Sequence, residues 1–245
     1  MRRALIVGGA NGIGLSIATQ LATREDYDKI YIIDKSIVAN EFYNSKFESI
    51  PFDLASEDYS IFQGFRDVDT LMITAGFGKL SLFKDLSEDY INSSFIVNAV
   101  APIRIVHHFM DKLINDADFN CGIMVSIAGF MSSPFFSVYG ATKAALKIFI
   151  ESVNVELEKG GSNNKILNVS PGSIKGTSFN NGETNLDTLS SLANDIIYHL
   201  EIKDDLFIPK YEEIFKNVLE RYQTDFREEG RHSYDYKKNS GRIKL

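Results

Sequence analysis

The sequence of 245 residues contains no tryptophan, one cysteine and five prolines. The lone Cys121 excludes an internal disulfide, and no group of cysteines and histidines has the spacing of a zinc site, so we predict no metal. No apolar run approaches the roughly 18–20 residues that span a bilayer. Strand-like sequence begins at Ala4, which leaves no room for a signal peptide. We therefore expect a cytoplasmic protein with no membrane partner.

Positive charge is also scarce. Lysine and arginine number 26 against 33 aspartates and glutamates, which gives a net charge of −7. No segment has a basic excess, since residues 201–245 hold ten basic and ten acidic side chains. Nucleic-acid binding depends on neutralising phosphates, so we expect no nucleic-acid partner. A composition of 44% hydrophobic and 24% charged residues is typical of a globular protein, and the length suits one α/β domain.

Short apolar runs alternate with longer amphipathic stretches over the first 170 residues. The apolar runs predict β-strands at 4–7, 30–33, 47–51, 70–74, 122–126 and 165–169. The amphipathic stretches predict helices at about 14–24, 56–66, 87–114 and 137–159, the third kinked by Pro102. This alternation predicts an α/β fold, a single Rossmann-type doubly wound parallel sheet with helices on both faces. Ligands of such sheets bind at the carboxyl ends of the strands.

The sequence changes character after Pro171. Residues 172–190 are rich in Gly, Asn, Ser and Thr, which predicts a loop or a mobile lid over a site. A helix should follow at 187–200, and residues 206–222 look mostly helical. Ten charges in the last 23 residues indicate a tail that is disordered or held by a partner subunit. We predict a domain at 1–222 and a charged tail at 223–245.

A glycine-rich loop follows the first predicted strand directly. Gly8, Gly12 and Gly14 flank Asn11 and Ile13 in a G-x-x-x-G-x-G spacing. Without Cβ atoms, backbone N–H groups can approach a pyrophosphate, whose charge the N-terminus of the next helix favours. The spacing therefore predicts a dinucleotide site, with a plain glycine-rich turn as the alternative.

An acidic residue stands where the second predicted strand ends. Asp34 can accept hydrogen bonds from the adenosine ribose and would repel a 2′-phosphate. A turn-forming aspartate is the alternative interpretation, and the neighbouring Lys35 could accommodate a phosphate. Residues 9–11 supply no basic side chain, so we predict NAD as the cofactor, with NADP possible.

A tyrosine and a lysine four residues apart share one helix face at Tyr139 and Lys143. The same spacing occurs at 31/35 and 234/238, but only Tyr139 has a serine, Ser126, thirteen residues upstream at the end of an apolar strand. Taken one by one, these residues also suit packing or capping. Their order and spacing favour a catalytic role.

With these motifs the sequence resembles the short-chain dehydrogenase/reductase family, in its short, non-extended branch. The resemblance covers roughly residues 3–178. It rests on Gly8, Gly12, Gly14, Asp34, Phe52-Asp53-Leu54, Ala75-Gly76, Asn98, Ser126, Tyr139, Lys143 and Pro171-Gly172, all in the family's order.

The resemblance implies an NAD(P)(H)-dependent oxidoreductase that interconverts a secondary alcohol and a carbonyl. Tyr139 would be the general acid/base, and Lys143 would lower its pKa and hold the nicotinamide ribose. Ser126 would position the substrate oxygen, and Asn98 matches the asparagine that anchors a proton-relay water beside Lys143.

Further family positions imply contacts to the nucleotide. Asp53 and Leu54 look like the adenine-contacting pair, and Ala75-Gly76 like the segment beneath the adenine ribose. Pro171-Gly172 is similar to the turn that leads the backbone toward the nicotinamide carboxamide. Thr177 stands one residue later than the family's usual threonine, where it would contact the pyrophosphate.

The sequence departs from the family at several places. Val7 replaces a threonine and Ile73-Thr74 replace two asparagines, for which we expect a cost in stability rather than loss of chemistry. The aromatic and apolar residues between Ser126 and Tyr139 could wall a pocket for an apolar or ring-bearing substrate, or pack in the core.

Family members commonly pair through two long helices, here at 87–114 and 137–159, so we expect a homodimer or homotetramer. A catalytically silent nucleotide-binding regulator or scaffold is the alternative to an enzyme. An epimerase or dehydratase of the extended branch is disfavoured, because too few residues follow Pro171 for its substrate domain.

Overall fold

The computed structural model describes residues 1–115, 117–177, 179, 182–240 and 243. Seven strands form one sheet: β1 (Arg2–Val7), β2 (Tyr27–Asp34), β3 (Phe47–Pro51), β4 (Thr70–Ile73), β5 (Asn120–Met124), β6 (Ile166–Val169) and β7 (Leu206–Phe207). All strands are parallel, in the order β3-β2-β1-β4-β5-β6-β7. The predicted doubly wound parallel sheet is confirmed.

Helices cover both faces of this sheet. Those described are α1 (Gly12–Thr23), α2 (Glu88–Phe95), α3 (Ala101–His108), α4 (Met110–Ile114), α5 (Ser137–Lys159), α6 (Leu186–Glu201), α7 (Lys216–Thr224) and α8 (Phe226–Asn239). Helices α1 and α6 pack on one face, and α3, α4 and α5 pack on the other. Among the described helices, none combines the length and apolarity needed to cross a membrane.

The central strand β1 contributes to both halves of the core. Leu5 and Val7 pack toward α3–α5, whereas Ala4 and Ile6 pack toward α1 and α6. Successive side chains of a strand point to opposite faces, so a strand covered on both sides is apolar throughout. This burial fixes the carboxyl end of β1 in the middle of the sheet, where the glycine loop begins.

The predicted helix 87–114 is interrupted twice. Pro102 has no N–H to bond the carbonyl of Asn98, and the chain widens into a π-helix over Ile96–Val100, closed by the Ala101 N–H bond to Ile96. A second break, at Phe109, separates α3 from α4. A π-turn therefore stands directly before Pro102, where the sequence predicted a kink.

The helix predicted at 56–66 is wrong in type. A 3-10 helix over Ser60–Phe65 stands in its place and buries Phe62 and Phe65 under the sheet. Just before it, the Asp58 carboxylate accepts from the Ser60 N–H at 2.8 Å. Such a local side-chain bond competes with the first turn of an α-helix.

The carboxyl third corrects one expectation. Residues 206–222 are mostly helical, as expected, through a π-helix at Tyr211–Phe215 and α7, although Leu206 and Phe207 pair with Asn168 and Val169 as the last strand. The tail is not disordered over 226–239, where α8 forms and contacts Ser133 and Pro134 of the same chain. Residues 241, 242, 244 and 245 of the predicted tail, and 178, 180 and 181 of the predicted lid, lie outside the described residues. The domain boundary at 222 stays a prediction.

A buried amide ties the start of β6 to the segment that leads into β5. Asn164 accepts from the Phe119 N–H at 3.0 Å, and its Nδ2 donates to the carbonyls of Asn115 and Ala117, both at 2.9 Å. Only 3% of Asn164 is exposed, so these backbone groups have no water to replace it.

We expect Asn164→Ala to lower the free energy of unfolding by about 3 kcal/mol, because several buried backbone groups lose their partner. Urea denaturation measures the change. The matched control is Asn163→Ala at the exposed neighbouring position, which should shift stability by less than about 0.5 kcal/mol. Equal effects of the two variants would contradict this assignment.

Candidate functional site

A cleft of about 770 Å³ opens at the carboxyl ends of β1, β4, β5 and β6. Its volume lies within the range of roughly 300–1,000 Å³ found for small-molecule sites. Most of the residues that the sequence assigned to the site line it: Gly8, Asn11, Gly12, Ile13, Gly14, Gly76, Ser126, Tyr139, Lys143, Pro171, Gly172 and Thr177. The structure therefore brings residues from five separate stretches of the chain into one space.

The glycine loop leaves no room for side chains. Gly8 has φ +85°, and a Cβ atom on it would lie 2.4 Å from the backbone nitrogen of Ala75. A Cβ on Gly14 would lie 2.3 Å from the carbonyl oxygen of Gly8. The backbone of the loop therefore packs closely on itself and on Ala75, and the first turn of α1 has no acidic side chain. The cradle thus fits a dinucleotide pyrophosphate.

A hydroxyl from the predicted lid lies across this cradle. The N–H of Gly12 donates to Oγ1 of Thr184 at 2.9 Å, so the donor at the start of α1 points toward an acceptor on the opposite wall. Thr177 also lies against Gly12, with its Cβ 3.7 Å from where a Gly12 Cβ would be, while its own hydroxyl donates to the carbonyl of Ile174. Thr184 could not be predicted from the sequence, because the contact joins residues 172 positions apart.

Thr74 makes hydrogen bonds at the end of β1, although Val7 replaces the family's threonine and Ile73-Thr74 replace its two asparagines. Its hydroxyl lies 3.1 Å from the carbonyl of Val7 and 2.9 Å from that of Gly8, and its N–H donates to the Val7 carbonyl at 2.7 Å. The hydroxyl therefore fastens the end of β1 to β4 although Val7 itself has none. The stability cost expected for the departures at 7 and 73–74 stays a prediction.

The acidic side chain at the end of β2 is fixed by backbone groups. Oδ2 of Asp34 accepts from the Ala10 N–H at 3.0 Å, and Oδ1 accepts from the Ser36 N–H at 3.1 Å. Lys35 turns away to Asp53, whose Oδ2 lies 3.0 Å from Nζ. The N–H of Ala55 and the Lys35 ammonium together hold the pKa of Asp53 below its usual value.

Asp34 thus faces the glycine loop, as expected for a ribose-binding carboxylate. Leu54, the second residue of the expected adenine pair, is buried with 8% exposure, and its carbonyl accepts from the Tyr59 hydroxyl. Asp34, Asp53, Leu54 and Ala75 lie outside the lining of the main cleft.

Tyr139 and Lys143 lie one turn apart on α5, and both line the cleft. Nζ of Lys143 lies 5.7 Å from the centre of the Tyr139 ring. Loss of hydration raises the pKa of Tyr139 to about 12, and a hydrogen bond with the Ser126 side chain opposes that rise. The serine hydroxyl therefore lies within hydrogen-bond distance of the Tyr139 phenol.

Lys143 is the most deeply buried charged group of the site. It is 2% exposed, and its Nζ donates to the carbonyl of Met124 at 2.8 Å. Burial lowers the pKa of Lys143 to about 7. In the protein alone, loss of hydration dominates the pKa of Tyr139. The expected lowering by Lys143 together with an oxidised nicotinamide stays a prediction.

Ser126 lies two residues past the end of β5, in the turn that precedes the 3-10 helix Ile127–Gly129. Its Oγ accepts from the Ala128 N–H at 3.1 Å and lies 3.4 Å from the carbonyl of Pro171. These contacts join the β5 and β6 ends and aim the hydroxyl at Tyr139.

Gly172, which follows Pro171, lies directly against Phe215. A Cβ atom on Gly172 would lie 2.5 Å from the Phe215 ring.

Asn98 sits in the π-turn and is fully buried. Its Oδ1 accepts from the Phe77 N–H at 2.9 Å, and its Nδ2 donates to the Phe77 carbonyl at 2.8 Å and to Oγ1 of Thr142 at 3.3 Å. The amide thus fixes the backbone after Gly76. A Cβ on Gly76 would lie 3.2 Å from Asn98 Oδ1 and 3.3 Å from Lys143 Nζ, so both side chains converge on this glycine.

Aromatic rings wall the space in front of Tyr139. The ring centres of Phe136 and Phe179 each lie 5.3 Å from that of Tyr139. Phe136 and Met131 line the cleft, whereas Phe135 is buried against α8. The residues between Ser126 and Tyr139 therefore contribute both to the wall of the cleft and to internal packing. Phe179 was missed; its only signal is a lone aromatic ring in a polar loop.

The model of the short chain dehydrogenase family matches residues 2–186. An uncharacterized short-chain type dehydrogenase/reductase of Sinorhizobium fredii is 30% identical over 159 residues, 63% of each chain. Human 17-beta-hydroxysteroid dehydrogenase type 1 is 27% identical over 68% of this chain and 56% of its own. Bovine retinol dehydrogenase 8 is 26% identical over 89% of this chain and 73% of its own. This chain therefore spans less than two thirds of the length of the Sinorhizobium protein and of the human hydroxysteroid dehydrogenase.

Solved structures share the fold at lower identity. A short-chain dehydrogenase of Streptomyces avermitilis superposes with a TM-score of 0.75 at 19% identity, over 96% of this chain and 100% of that one. The bulky-bulky ketone specific alcohol dehydrogenase of Comamonas testosteroni superposes with a TM-score of 0.71 at 20% identity, over 91% of this chain and 92% of that one. An alcohol dehydrogenase of Thermococcus sibiricus, complexed with 5-hydroxy-NADP, superposes with a TM-score of 0.70 at 19% identity, over 85% of this chain and 95% of that one.

The buried lysine makes stability depend on pH. An unfolded lysine has a pKa near 10.4, so between about pH 7 and pH 10 the unfolded chain binds more protons than the folded one. Stability of the wild type therefore rises with pH across this window, and the cost of burying the ammonium is greatest below pH 7.

We expect Lys143→Met to raise the free energy of unfolding relative to wild type, and this increase should be about 2–3 kcal/mol larger at pH 6 than at pH 9. The bond to the Met124 carbonyl is lost at both pH values. Urea denaturation at the two pH values measures this difference, with Lys159→Met, an exposed lysine of the same helix, as control. An equal gain at both pH values would refute the buried cation.

Proposed function

Since this chain belongs to the short-chain dehydrogenase family, we propose that it is an NAD(P)(H)-dependent oxidoreductase that interconverts a secondary alcohol and a carbonyl. The observation that carries the proposal is one cleft that holds Tyr139, Lys143 and Ser126 beside the glycine cradle. When bound there, NAD(P) supplies the hydride chemistry and, in its oxidised form, a positive charge.

Tyr139 is the proton donor and acceptor of the proposed reaction. With a pKa of about 12, the phenol stays protonated at neutral pH and is ready to donate to a carbonyl oxygen. The Ser126 hydroxyl, held by the Ala128 N–H, binds the same oxygen and stabilises the charge that develops on it.

Lys143 keeps a mobile proton beside the phenol, because a pKa of about 7 lets it gain or lose a proton near neutral pH. We propose that its Nζ also holds a nicotinamide ribose hydroxyl; the nearness of Nζ to Gly76 supports this role. Asn98 fixes the Phe77 backbone next to it and takes the place of the relay asparagine.

For the cofactor we propose NAD. Support comes from the Asp34 carboxylate, which two backbone N–H groups hold at the end of β2, and from Lys35, whose ammonium is engaged by Asp53. NADP is the alternative, because the Thermococcus structure holds 5-hydroxy-NADP and a short-chain dehydrogenase of Sphingobium yanoikuyae with the same fold holds NADPH.

The proposed substrate carries its hydroxyl or carbonyl on a bulky apolar body. Phe136, Phe179, Met131 and Phe215 surround the approach to Tyr139. The retinol, hydroxysteroid and bulky ketone named for the proteins above are compounds of this kind. Such a body buries its surface on these rings while the reacting oxygen meets Ser126.

We also propose a cytoplasmic homodimer or homotetramer without nucleic-acid or membrane partners. Exposed apolar side chains on the expected pairing helices support the assembly: Phe95, Ile96 and Val100 near α2 and α3, and Ile148 and Val155 on α5. Exposed apolar patches of this sort mark interaction surfaces.

We expect Tyr139→Phe to lower kcat by roughly 10²–10⁴-fold while the Kd for NADH stays within about twofold, because only the proton-transfer oxygen is removed. The assay follows nicotinamide absorbance over a panel of alcohols and ketones that includes 1-phenylethanol and acetophenone. Tyr198→Phe, on the exposed face of α6, is the matched control. Retained activity would refute the role of Tyr139, whereas nucleotide binding without wild-type turnover would favour the silent regulator.

We expect Asp34→Asn to raise the Kd for NADH about tenfold and to lower that for NADPH, because the charge that accepts ribose hydroxyls and repels a 2′-phosphate is lost. Titration of cofactor fluorescence measures both constants. Asp26→Asn, exposed just before the other end of β2, should change neither. A variant with unaltered preference would show that Asp34 only shapes the turn.

A further inference from the structure

Helix α8 contacts the segment that immediately precedes the catalytic helix, residues 130–136, called here the pre-helix loop. Nζ of Lys237 donates to Oγ of Ser133 at 2.6 Å and to the carbonyl of Pro134 at 2.9 Å. Lys237 is 9% exposed, so its ammonium has little water as an alternative partner. Hydrogen bonds from a buried cation are among the stronger ones in proteins.

The same loop contains a residue in an uncommon backbone conformation. Phe135 has φ +66°, a region that bulky side chains rarely adopt. Its ring centre lies 4.6 Å from that of Tyr234 on α8, and its carbonyl accepts from the Ser81 N–H at 3.0 Å. Contacts on both sides therefore hold the loop in a shape that its own sequence does not favour.

The loop in turn supports the proposed proton donor. Phe136 lies 5.3 Å from Tyr139, ring centre to ring centre, and its carbonyl accepts from the Gly140 N–H at 2.7 Å in the first turn of α5. Nζ of Lys237 lies 5.5 Å from the centre of the Phe136 ring. The contacts thus run from Lys237 through the loop to the ring packed against Tyr139.

We propose that Lys237 is a positioning residue, which fixes the pre-helix loop so that Phe136 and Tyr139 keep their places in the cleft. Its catalytic consequence rests on the proposed function. Because Lys237 also lines the cleft, direct contact with the substrate is the rival explanation, and the test must separate the two.

The variants are Lys237→Met, which keeps the length of the side chain without its donors, and Lys238→Met, the same change at the exposed neighbour on α8. Hydrogen exchange of the full-length protein without substrate is followed on residues 130–138. We expect exchange to rise roughly tenfold in Lys237→Met and not in Lys238→Met, because a charge-assisted bond to the loop is lost. Unchanged exchange in Lys237→Met would overturn the proposal even if the wild type shows no turnover.

The kinetic arm uses NADH and acetophenone. Lys237→Met should lower kcat/KM roughly tenfold with the Kd for NADH unchanged, since the loop and not the nucleotide cradle is released. A loss of kcat/KM without a rise in exchange would assign Lys237 to substrate contact and overturn positioning. Raised exchange with unaltered kinetics would mean that Lys237 has only a structural role, and this result would also overturn the positioning proposal.

Ser133→Ala supplies a further check, because it removes one acceptor of the ammonium while leaving Lys237 in place. In the double variant the losses in kcat/KM should be clearly less than the product of the two single losses, as for residues that act through one contact. Independent, multiplicative losses would contradict the proposed linkage. Lys237→Arg, which can still donate to Ser133 and Pro134, should restore most of the protection from exchange.

Discussion

Lys143 keeps a cationic side chain in the protein interior, where its Nζ donates to the carbonyl of Met124 at the end of β5. Burial of this group is unfavourable, and its pKa of about 7 records the cost. Tyr139 lies one turn earlier on α5, and the Lys143 and Asn98 side chains converge on Gly76. A protein selected for stability alone would have an apolar residue at this point.

The surroundings of that lysine are fixed by small departures from regular structure. Pro102 lacks the N–H that would bond Asn98, and the resulting π-turn carries the Asn98 amide to the backbone of Phe77. Thr74 bonds the carbonyls of Val7 and Gly8 and so joins β1 to β4 beneath the glycine cradle. Each device uses a polar side chain to satisfy backbone groups that an interrupted element leaves open.

The carboxyl third adds a wall that the dinucleotide fold does not need. Phe215 packs on Gly172, and α8 bonds the pre-helix loop through Lys237. Arg221 and Glu229 form an ion pair at 2.7 Å, with the glutamate buried, and this pair joins α7 to α8 along the cleft. The lining of the cleft thus runs from Gly8 near the amino end of the chain to Lys237 near its carboxyl end.

The sheet, the glycine cradle and the Tyr139–Lys143 pair could be predicted because each rests on local spacing: apolar periodicity, missing Cβ atoms and one helical turn. The 3-10 helix at Ser60–Phe65, strand β7 and the path of α8 were beyond such reasoning, since turn bonds and pairing with β6 decide them. The Thr184 contact with Gly12 and the Lys237 contact with Ser133 join residues more than a hundred positions apart. The pKa of Tyr139 likewise depends on desolvation by neighbours that only folding assembles. The sequence by itself determined the chemical groups and their order, whereas tertiary packing decided their protonation and the walls around them, because burial and long-range contacts exist only in the folded chain.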